Sequence, residues 1–246
     1  MKYQITIVSK DDKFSISKES VDGFLLRHDG SLIEEIADNT EKITSLYNRK
    51  MREFIESGLD FLIFMHADVY LDLDKLVSHI EECASKYDVM GLCGCERISI
   101  SESPLNWFCG SRKYPDGRWG CVSHGELGNS VSFFNYDRPD VTDHPASCID
   151  GLCMVFSRKA IESGLRFDEE LGFNCYDTQI SFDSVMKYGL KLGVLVEKGL
   201  MHYSVGKSIL EDSFLEDEIV LRKRFGFDVP EGSRLARYVS MKQKSV

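Results

Sequence analysis

The feature of this sequence that most constrains its fold is a short run of large apolar residues, Phe61–Met65, which stops at a histidine and a carboxylate, His66 and Asp68. A run that is apolar at every position is typical of a central strand in a parallel sheet that helices cover on both faces. Such a strand delivers the residues that follow it to the carboxyl edge of the sheet, where open α/β sheets bind ligands. We therefore expect His66 and Asp68 to lie at a ligand site.

The apolar residues around this run predict alternating strands and helices. Ile5 and Ile7 belong to a first strand, and an apolar stripe from Ile43 to Ile55 predicts an amphipathic helix that Gly58 closes. Further strands are predicted at Leu32–Ile36, Val89–Cys93, Cys148–Phe156 and Leu190–Val196, the last of them alternating and half-buried. Further helices are predicted at Leu73–Tyr87, Arg158–Ser163, the stretch that follows Asp177 and Thr178 and runs to Tyr188, and Leu210–Phe225. This order indicates an α/β domain with a mostly parallel sheet flanked by helices.

Other parts of the chain are weakly patterned. Ser9–Gly30 is polar, and we expect a loop or a short helix there, at the ligand edge. Residues 94–147 hold both tryptophans and four of the five prolines but almost no periodic run, which is typical of functional loops in a compact domain. A short strand could run through Val131–Phe134. The tail from Arg222 to Val246 carries seven Lys or Arg against two acids and is either solvated or in contact with anionic lipid.

Composition narrows the classes of protein that fit. The 246 residues suit one domain, and a formal net charge of −10 argues against a nucleic-acid partner. No stretch approaches the roughly 20 apolar residues of a membrane span. The amino terminus resembles a first strand rather than a signal peptide, so we expect a cytoplasmic protein with at most peripheral contact to the inner membrane surface. The eight cysteines include only one tight pair, Cys93 and Cys95, and are expected to be reduced core residues.

Polar side chains at the ends of predicted strands and helices could carry chemistry. In the segment His66–Ala67–Asp68 the outer two residues, two apart on a strand, point the same way and can face one ligand. A carboxylate there can ligate Mg²⁺ or Mn²⁺, although Asp68 could equally cap the turn into the next helix. His202, after the alternating strand, is either structural or a metal ligand, because neutral imidazole binds such ions.

Two further carboxylates lie at element boundaries. Asp150 and Gly151 stand where a strand begins, and an ordinary Asp-Gly turn would explain them equally well. Asp177 stands at a helix start, either as a cap or as a catalytic base, which a carboxylate ionised near neutral pH can be.

Taken in order, these residues resemble family-two-type glycosyltransferases of the GT-A fold, and in particular the small bacterial branch whose DXD-like motif reads His-x-Asp-Val. The resemblance covers about residues 32–72 and 147–206. The matching pieces are Leu46-Tyr47-Asn48, Phe61–Val69, Ile149–Gly151, Phe167–Glu169, Phe173–Asp177, and Gly189–His202 with Ser204 and Gly206.

The resemblance implies a role for each matching residue. Asp68 is the metal ligand that bridges to the donor diphosphate, and His202 completes the metal site. His66 replaces an Asp whose role is a contact to the ribose. Asp177 is the base, with Tyr176 in place of the Glu that precedes it in similar enzymes; Gln179 also replaces a common acid.

Binding residues are implied in the same way. The residues near the nucleoside and the donor are Asp38, Asn39, Asn48, His66, Ala67 and Asp68. Asp150 and Gly151 lie where donor sugar and acceptor meet, beside Tyr176. Trp107, Trp119 and His124 would shape the acceptor site, since aromatic faces suit sugar rings, although the tryptophans could equally anchor loops in the core.

As a whole, the resemblance implies a single GT-A domain over residues 1–246, with a nucleotide-binding half (1–93), an acceptor-binding half (94–206) and a C-terminal helix with a basic tail (207–246). It implies an inverting transfer from a nucleotide sugar, with a UDP-sugar as the expected donor and Mn²⁺ or Mg²⁺ as cofactor. The acceptor would be a hydroxyl of a saccharide or a lipid-linked molecule in polysaccharide or glycoconjugate synthesis.

Two alternatives remain open at this point. A non-catalytic nucleotide-sugar-binding relative would be compatible with the substitutions at His66, Tyr176 and Gln179. A sugar-nucleotide pyrophosphorylase shares a similar fold, but it would show a glycine-rich signature near the amino terminus, which Ile7–Lys13 lacks.

Overall fold

The computed structural model describes residues 1–9, 18–124, 132–135, 141–203 and 211–244. The strands in this part of the chain are β1 (Tyr3–Val8), β2 (Leu32–Ile36), β3 (Phe61–His66), β4 (Val69–Tyr70), β5 (Val89–Gly91), β6 (Cys93–Cys95), β7 (Arg118–His124), β8 (Ser132–Asn135), β9 (Asp143–Pro145), β10 (Cys148–Ile149), β11 (Cys153–Ser157), β12 (Leu192–Leu195) and β13 (Leu200–His202). The helices are α1 (Lys18–Arg27), α2 (Ile43–Ser57), α3 (Leu73–Cys83), α4 (Trp107–Gly110), α5 (Arg158–Glu162), α6 (Tyr176–Phe182), α7 (Asp212–Phe225) and α8 (Arg234–Lys244). A 3₁₀ turn at Pro115–Gly117 and a π turn at Asp183–Lys187 complete the set.

The large sheet has the strand order β2-β1-β3-β11-β5-β12-β9. Strand β11 runs antiparallel to both of its neighbours, β3 and β5, and β9 runs antiparallel to β12. The remaining strands share one direction, since β1 is parallel to β2 and β3, and β5 is parallel to β12. The predicted mostly parallel sheet with helices on its faces is therefore confirmed.

Strand β3 is buried on both faces, as its uniformly apolar sequence predicts. Ile63 packs with Leu76 and other side chains of α3, whereas Phe64 packs with Leu46 and others of α2 on the opposite face. Because successive side chains of a strand point to opposite faces, a strand between two helical layers needs apolar residues at every position. Each such side chain contributes about 1.5–3 kcal/mol when it is fully buried.

The ends of the helices beside β3 follow the predicted signals. Gly58 ends α2 in the left-handed conformation, with φ of 70°. Asp72 caps α3, because its carboxylate accepts hydrogen bonds from the backbone N–H groups of Asp74 and Lys75. These two helices fix where β3 begins and ends, and hence where His66 lies.

A second, smaller sheet forms where the sequence shows little periodicity. Its order is β10-β6-β7-β13-β4, with β8 paired to β7. Strand β13 runs antiparallel to β4 and places His202 opposite Val69, next to Asp68. The small sheet therefore joins the two predicted metal ligands, although they are far apart in sequence.

Several predicted elements differ from the structure. The predicted strand Cys148–Phe156 is two strands, β10 and β11, because the chain turns at residues 150–152. Strand β12 is buried at all four positions rather than half-buried. The ring of Tyr87 covers Gly193 so closely that a Cβ at this position would lie 2.6 Å from the ring. Part of Ser9–Gly30 forms α1, a ten-residue helix, in agreement with the short helix that is one of the two predictions for this stretch. The predicted tail contains α8, whose Leu235 packs against Leu215 of α7.

None of the helices in the described part of the chain combines the length and the apolar character that a membrane crossing requires.

Candidate active site

The candidate site lies at the carboxyl end of β3. The strand ends at His66, the chain passes through the buried Ala67 to Asp68, and β4 follows. The pairing of β13 with β4 brings His202 to the same place. One potential ligand atom from each of His66, Asp68 and His202 lies within 4.8 Å of the others.

Asp68 and His202 form an ion pair in which Nε2 of His202 lies 3.4 Å from Oδ1 of Asp68. Burial alone would raise the pKa of Asp68, but the hydrogen bond and positive charge of His202 outweigh it and lower this pKa. The side chain of Asp68 is 46% exposed, whereas that of His202 is 15% exposed. The carboxylate is therefore ionised and open to an incoming ligand on one side.

The donor set of this cluster fits a divalent ion. Ligand atoms lie about 2.0–2.3 Å from a bound ion. Three ligand atoms within 4.8 Å of one another are therefore close to the spacing at which all three bind the same ion. Mg²⁺ prefers oxygen ligands and ideal octahedral geometry, whereas imidazole suits transition ions. One carboxylate and two imidazoles therefore suit Mn²⁺ or a similar transition ion better than Mg²⁺.

A cleft of about 180 Å³ opens beside the cluster. Its wall is built from His66, the ends of α4 and β10, the segment that leads into α6, and Phe214 of α7. Pockets for whole drug-sized ligands are about 300–1,000 Å³. This cleft can therefore enclose only one part of a larger ligand.

Asp177, at the start of α6, lies in this cleft. Its Oδ1 accepts a hydrogen bond from the N–H of Thr178 at 2.7 Å, and its Oδ2 accepts one from the N–H of Gly151 at 3.2 Å. Burial, followed by the charge of Asp150, raises the pKa of Asp177 to about 7. A carboxyl group with such a pKa can take up and release a proton near neutral pH.

Asp150 is held in place from two sides. Its Oδ1 accepts a hydrogen bond from the N–H of Leu152 at 2.8 Å, and its Oδ2 accepts one from the indole N–H of Trp107 on α4. Asn106 caps α4 by accepting a hydrogen bond from the N–H of Cys109, which fixes the start of this short helix. The orientation of Asp150 therefore depends on the segment that carries Trp107.

The other tryptophan does not reach the cleft, which corrects one expectation. Trp119 is 4% exposed and belongs to the core, where its ring stacks on His144 with centroids 3.8 Å apart. The pairing of β6 with β7 holds it there, opposite Gly94. Of the two tryptophans, Trp107 is the one that lines the cleft.

Asn48 also has a different place from the expected one. It is 4% exposed, and its amide donates hydrogen bonds to the carbonyl of Phe167 and to Glu169, both at 2.9 Å. Its Oδ1 accepts the N–H of Phe167 at 2.9 Å. With these bonds made, Asn48 holds the segment after α5 against α2, and its amide is occupied within the fold.

Asp38 and Asn39 follow β2 at the same sheet edge as His66, because Val8 pairs with both Ile36 and His66. Asp38 is exposed and has φ of 50°, in the left-handed region, which is uncommon for a residue other than glycine. The side chain of Asn39 forms hydrogen bonds with the backbone of Glu41. A contact between this turn and a nucleoside stays a prediction.

Tyr176 contacts His66 directly, which the sequence did not indicate. The hydroxyl of Tyr176 lies 2.7 Å from Nε2 of His66 and also reaches the carbonyl of Gly151 at 3.4 Å. Burial, followed by the charge of His202, lowers the pKa of His66, so this ring is neutral. The exposed ring of Phe173 stacks near His66 with centroids 5.8 Å apart.

Ser204 and Gly206 of the matching segments lie outside the described residues, and so does the side chain of His124. Gln179 is buried, and its amide donates to Asp183 at 2.6 Å, within the interior of the domain.

Comparison with protein-family profiles and with curated protein sequences gives no match. Among solved structures, the chain is similar to GalNAc-T7 crystallised with UDP, GalNAc and Mn²⁺, with a TM-score of 0.51, 11% identity, and coverage of 90% of this chain and 47% of that chain. It is also similar to A197 from STIV (TM-score 0.44, 13% identity, 86% and 98% covered) and to S. aureus TarS 1-349 in complex with UDP (TM-score 0.46, 12% identity, 97% and 68% covered).

The chain has a GT-A fold. The likeness to GalNAc-T7 carries this conclusion, and it extends over about half the length of that protein. At 11% identity, this likeness supports a conclusion about the fold alone. The GT-A fold that the sequence predicted is therefore confirmed.

Proposed function

We propose that this GT-A protein is a glycosyltransferase that moves a sugar from a nucleotide sugar to an acceptor hydroxyl with inversion at the anomeric carbon. The observation that carries the proposal is that His66 and Asp177 line one cleft. The cluster of His66, Asp68 and His202 offers ligands for a divalent ion beside this cleft, and the half-buried Asp177 within it offers a base with a pKa of about 7.

The two groups suit the two ends of such a transfer. Asp68 and His202 would hold Mn²⁺ or Mg²⁺, with Mn²⁺ favoured by the imidazole ligands. The ion would supply positive charge to a leaving diphosphate. Asp177 in its ionised form would accept the proton of the attacking hydroxyl. One displacement from the face opposite the leaving group inverts the configuration.

The donor in this proposal is a UDP-sugar. The GalNAc-T7 structure contains UDP and Mn²⁺, which supports the choice. The nucleoside would lie at the sheet edge near Asp38, Asn39 and Ala67, outside the cleft, whose 180 Å³ suits a sugar unit rather than a whole nucleotide sugar. Asp150, Gly151 and Tyr176 would line the place where donor sugar and acceptor meet.

The acceptor in this proposal is a saccharide or a lipid-linked molecule on the cytoplasmic side of the membrane. Trp107 replaces Trp119 as the aromatic residue expected at the acceptor site, because it lines the cleft. The exposed basic residues Lys223, Arg234 and Arg237 support peripheral contact with anionic lipid, since such residues are attracted to negatively charged headgroups.

A turnover assay tests the proposal. The full chain is incubated with a panel of UDP-sugars and Mn²⁺, and release of UDP is measured with and without saccharide acceptors. We expect release that requires Mn²⁺ and is abolished by Asp68→Ala, while Asp29→Ala, a change at an exposed carboxylate, leaves it intact. Tight binding of UDP without any turnover would instead indicate a non-catalytic relative.

A further inference from the structure

The hydrogen bond between Tyr176 and His66 determines which nitrogen of His66 is available to a metal ion. The hydroxyl of Tyr176 has one proton, and it lies near two groups, Nε2 of His66 at 2.7 Å and the carbonyl of Gly151 at 3.4 Å. A carbonyl oxygen can only accept. Both contacts are hydrogen bonds only when the proton of Tyr176 goes to Gly151 and Nε2 of the imidazole donates to the tyrosine oxygen.

In this tautomer the proton is on Nε2, so Nδ1 of His66 carries the lone pair. A metal ligand needs such a lone pair, and a metal-bound histidine almost always donates its other N–H to a fixed acceptor. From these contacts we propose that Tyr176 is a positioning residue that makes His66 the third protein ligand of the metal site. The inference rests on the proposed function, since it concerns the same site.

The position of the Tyr176 hydroxyl is itself closely determined. A Cβ on Gly151 would lie 2.2 Å from this hydroxyl, so only glycine lets the tyrosine approach. The ring of Tyr176 packs beside those of Tyr47 and Phe167, with centroids 6.1 and 6.0 Å away. A side chain that is buried among rings and bonded at its tip holds the imidazole in one orientation.

The ion-binding group then consists of two imidazoles and one carboxylate. Such a set favours Mn²⁺ or Co²⁺ over Mg²⁺, because Mg²⁺ prefers oxygen ligands. The number of coordinated imidazoles is a property of the site that does not depend on turnover, so it can be measured on the protein with Mn²⁺ alone.

The first test is pulsed EPR of the full chain loaded with MnCl₂ in the absence of nucleotide. We expect nitrogen couplings from two imidazoles, and from one after His66→Ala. Couplings from a single imidazole in the unaltered protein would overturn the inference, whether or not any variant folds.

The second test is calorimetric titration with MnCl₂ of two matched variants. Tyr176→Phe removes the hydroxyl bonded to His66 and should weaken Mn²⁺ binding by about 10- to 100-fold, the usual effect of losing such a partner. Tyr47→Phe removes a neighbouring buried hydroxyl that has no hydrogen-bond partner among the described residues, and it should leave the affinity unchanged. Equal affinities in the two variants would overturn the inference.

The outcomes separate this inference from the proposed function. Two imidazoles on Mn²⁺ without turnover of any UDP-sugar would contradict the proposed function and leave the role of Tyr176 supported. Metal-dependent turnover by a protein whose Mn²⁺ has only one imidazole ligand would support the proposed function and contradict the role of Tyr176.

Discussion

The carboxylate of Asp177 accepts a hydrogen bond from the backbone N–H of Gly151 across 3.2 Å, which ties the start of α6 to the turn after β10. The same turn carries Asp150, whose charge contributes to raising the pKa of Asp177. The candidate base and the neighbouring carboxylate are therefore held at a fixed separation, and the charge of Asp150 acts on Asp177.

The first prediction concerns the pH dependence of turnover. Because a base must be ionised, kcat should rise as pH increases through about 7, the pKa of Asp177. Asp150→Asn removes the neighbouring charge and should move the midpoint to lower pH. Asp177→Asn should reduce kcat by about 10²–10⁴-fold. Rate profiles measured from pH 5 to pH 9 check this, and a midpoint unaffected by Asp150→Asn would contradict it.

The second prediction concerns stability. The pKa of Asp177 rises on folding from 3.8 to about 7, first because of burial. Its protonated form therefore stabilises the fold fully below about pH 4, and this contribution is lost as pH rises through about 7. Scanning calorimetry should show that the Tm of the unaltered protein minus that of Asp177→Asn decreases as the pH is raised from 4 to 8. A constant difference would show that folding does not raise the pKa of Asp177.

The third prediction concerns Trp107. Trp107→Phe keeps an aromatic ring but loses the hydrogen bond to Asp150, and bonds to charged groups contribute about 1.5–3 kcal/mol. We expect kcat to fall at least about tenfold while Mn²⁺ affinity is unchanged. Trp119→Phe, a change in the core, should lower Tm and leave kcat nearly unaltered. The reverse pattern would mean that Trp119 is the functional tryptophan.

The fourth prediction concerns a buried ion pair that supports the segment before Trp107. The side chains of Arg222 and Glu218 are 2% and 0% exposed, and Glu218 accepts hydrogen bonds from Ser103 and from the N–H of Leu105. Arg222→Ala leaves Glu218 buried without its partner charge and should lower the free energy of unfolding by about 3–5 kcal/mol.

Urea unfolding measures this effect, with Lys242→Ala as the control. Lys242 pairs with Glu216 on the surface, where both side chains are more than half exposed. Such pairs contribute about 0–1 kcal/mol. Similar losses in the two variants would show that the pair of Arg222 and Glu218 does not support the fold.

Local sequence signals predicted the framework of the fold. The apolar run Phe61–Met65 indicated a strand that is buried on both faces, and the stripe that begins at Ile43 indicated α2, with Gly58 at its end. These features follow from periodicity and capping, which act over a few residues. The direction of β11 did not follow from them, because a buried strand has the same apolar pattern whether it runs parallel or antiparallel.

The site was only partly predictable because its contacts are distant in sequence. His66 and Tyr176 are 110 positions apart, and no local pattern shows that they touch. They are also two of the positions at which the chain departs from the family pattern it resembles. The residues at these two positions contact each other in the structure. Asn48 matched that pattern too, yet its side-chain bonds to Phe167 and Glu169 occupy it within the fold.

The choice between the two tryptophans needed the structure for another reason. Both lie in a region with little periodicity, and only the pairing of β6 with β7 decides that Trp119 enters the core. Trp107 lies at the start of α4 and lines the cleft.

The central claim is that Asp68 helps to bind a nucleoside diphosphate through a divalent ion. Calorimetric titration of the full chain with UDP, with and without Mn²⁺, tests it most directly. We predict binding that requires Mn²⁺ and is lost in Asp68→Ala, with Asp29→Ala unchanged. Binding of equal strength without metal, or no binding of UDP under either condition, would contradict the claim.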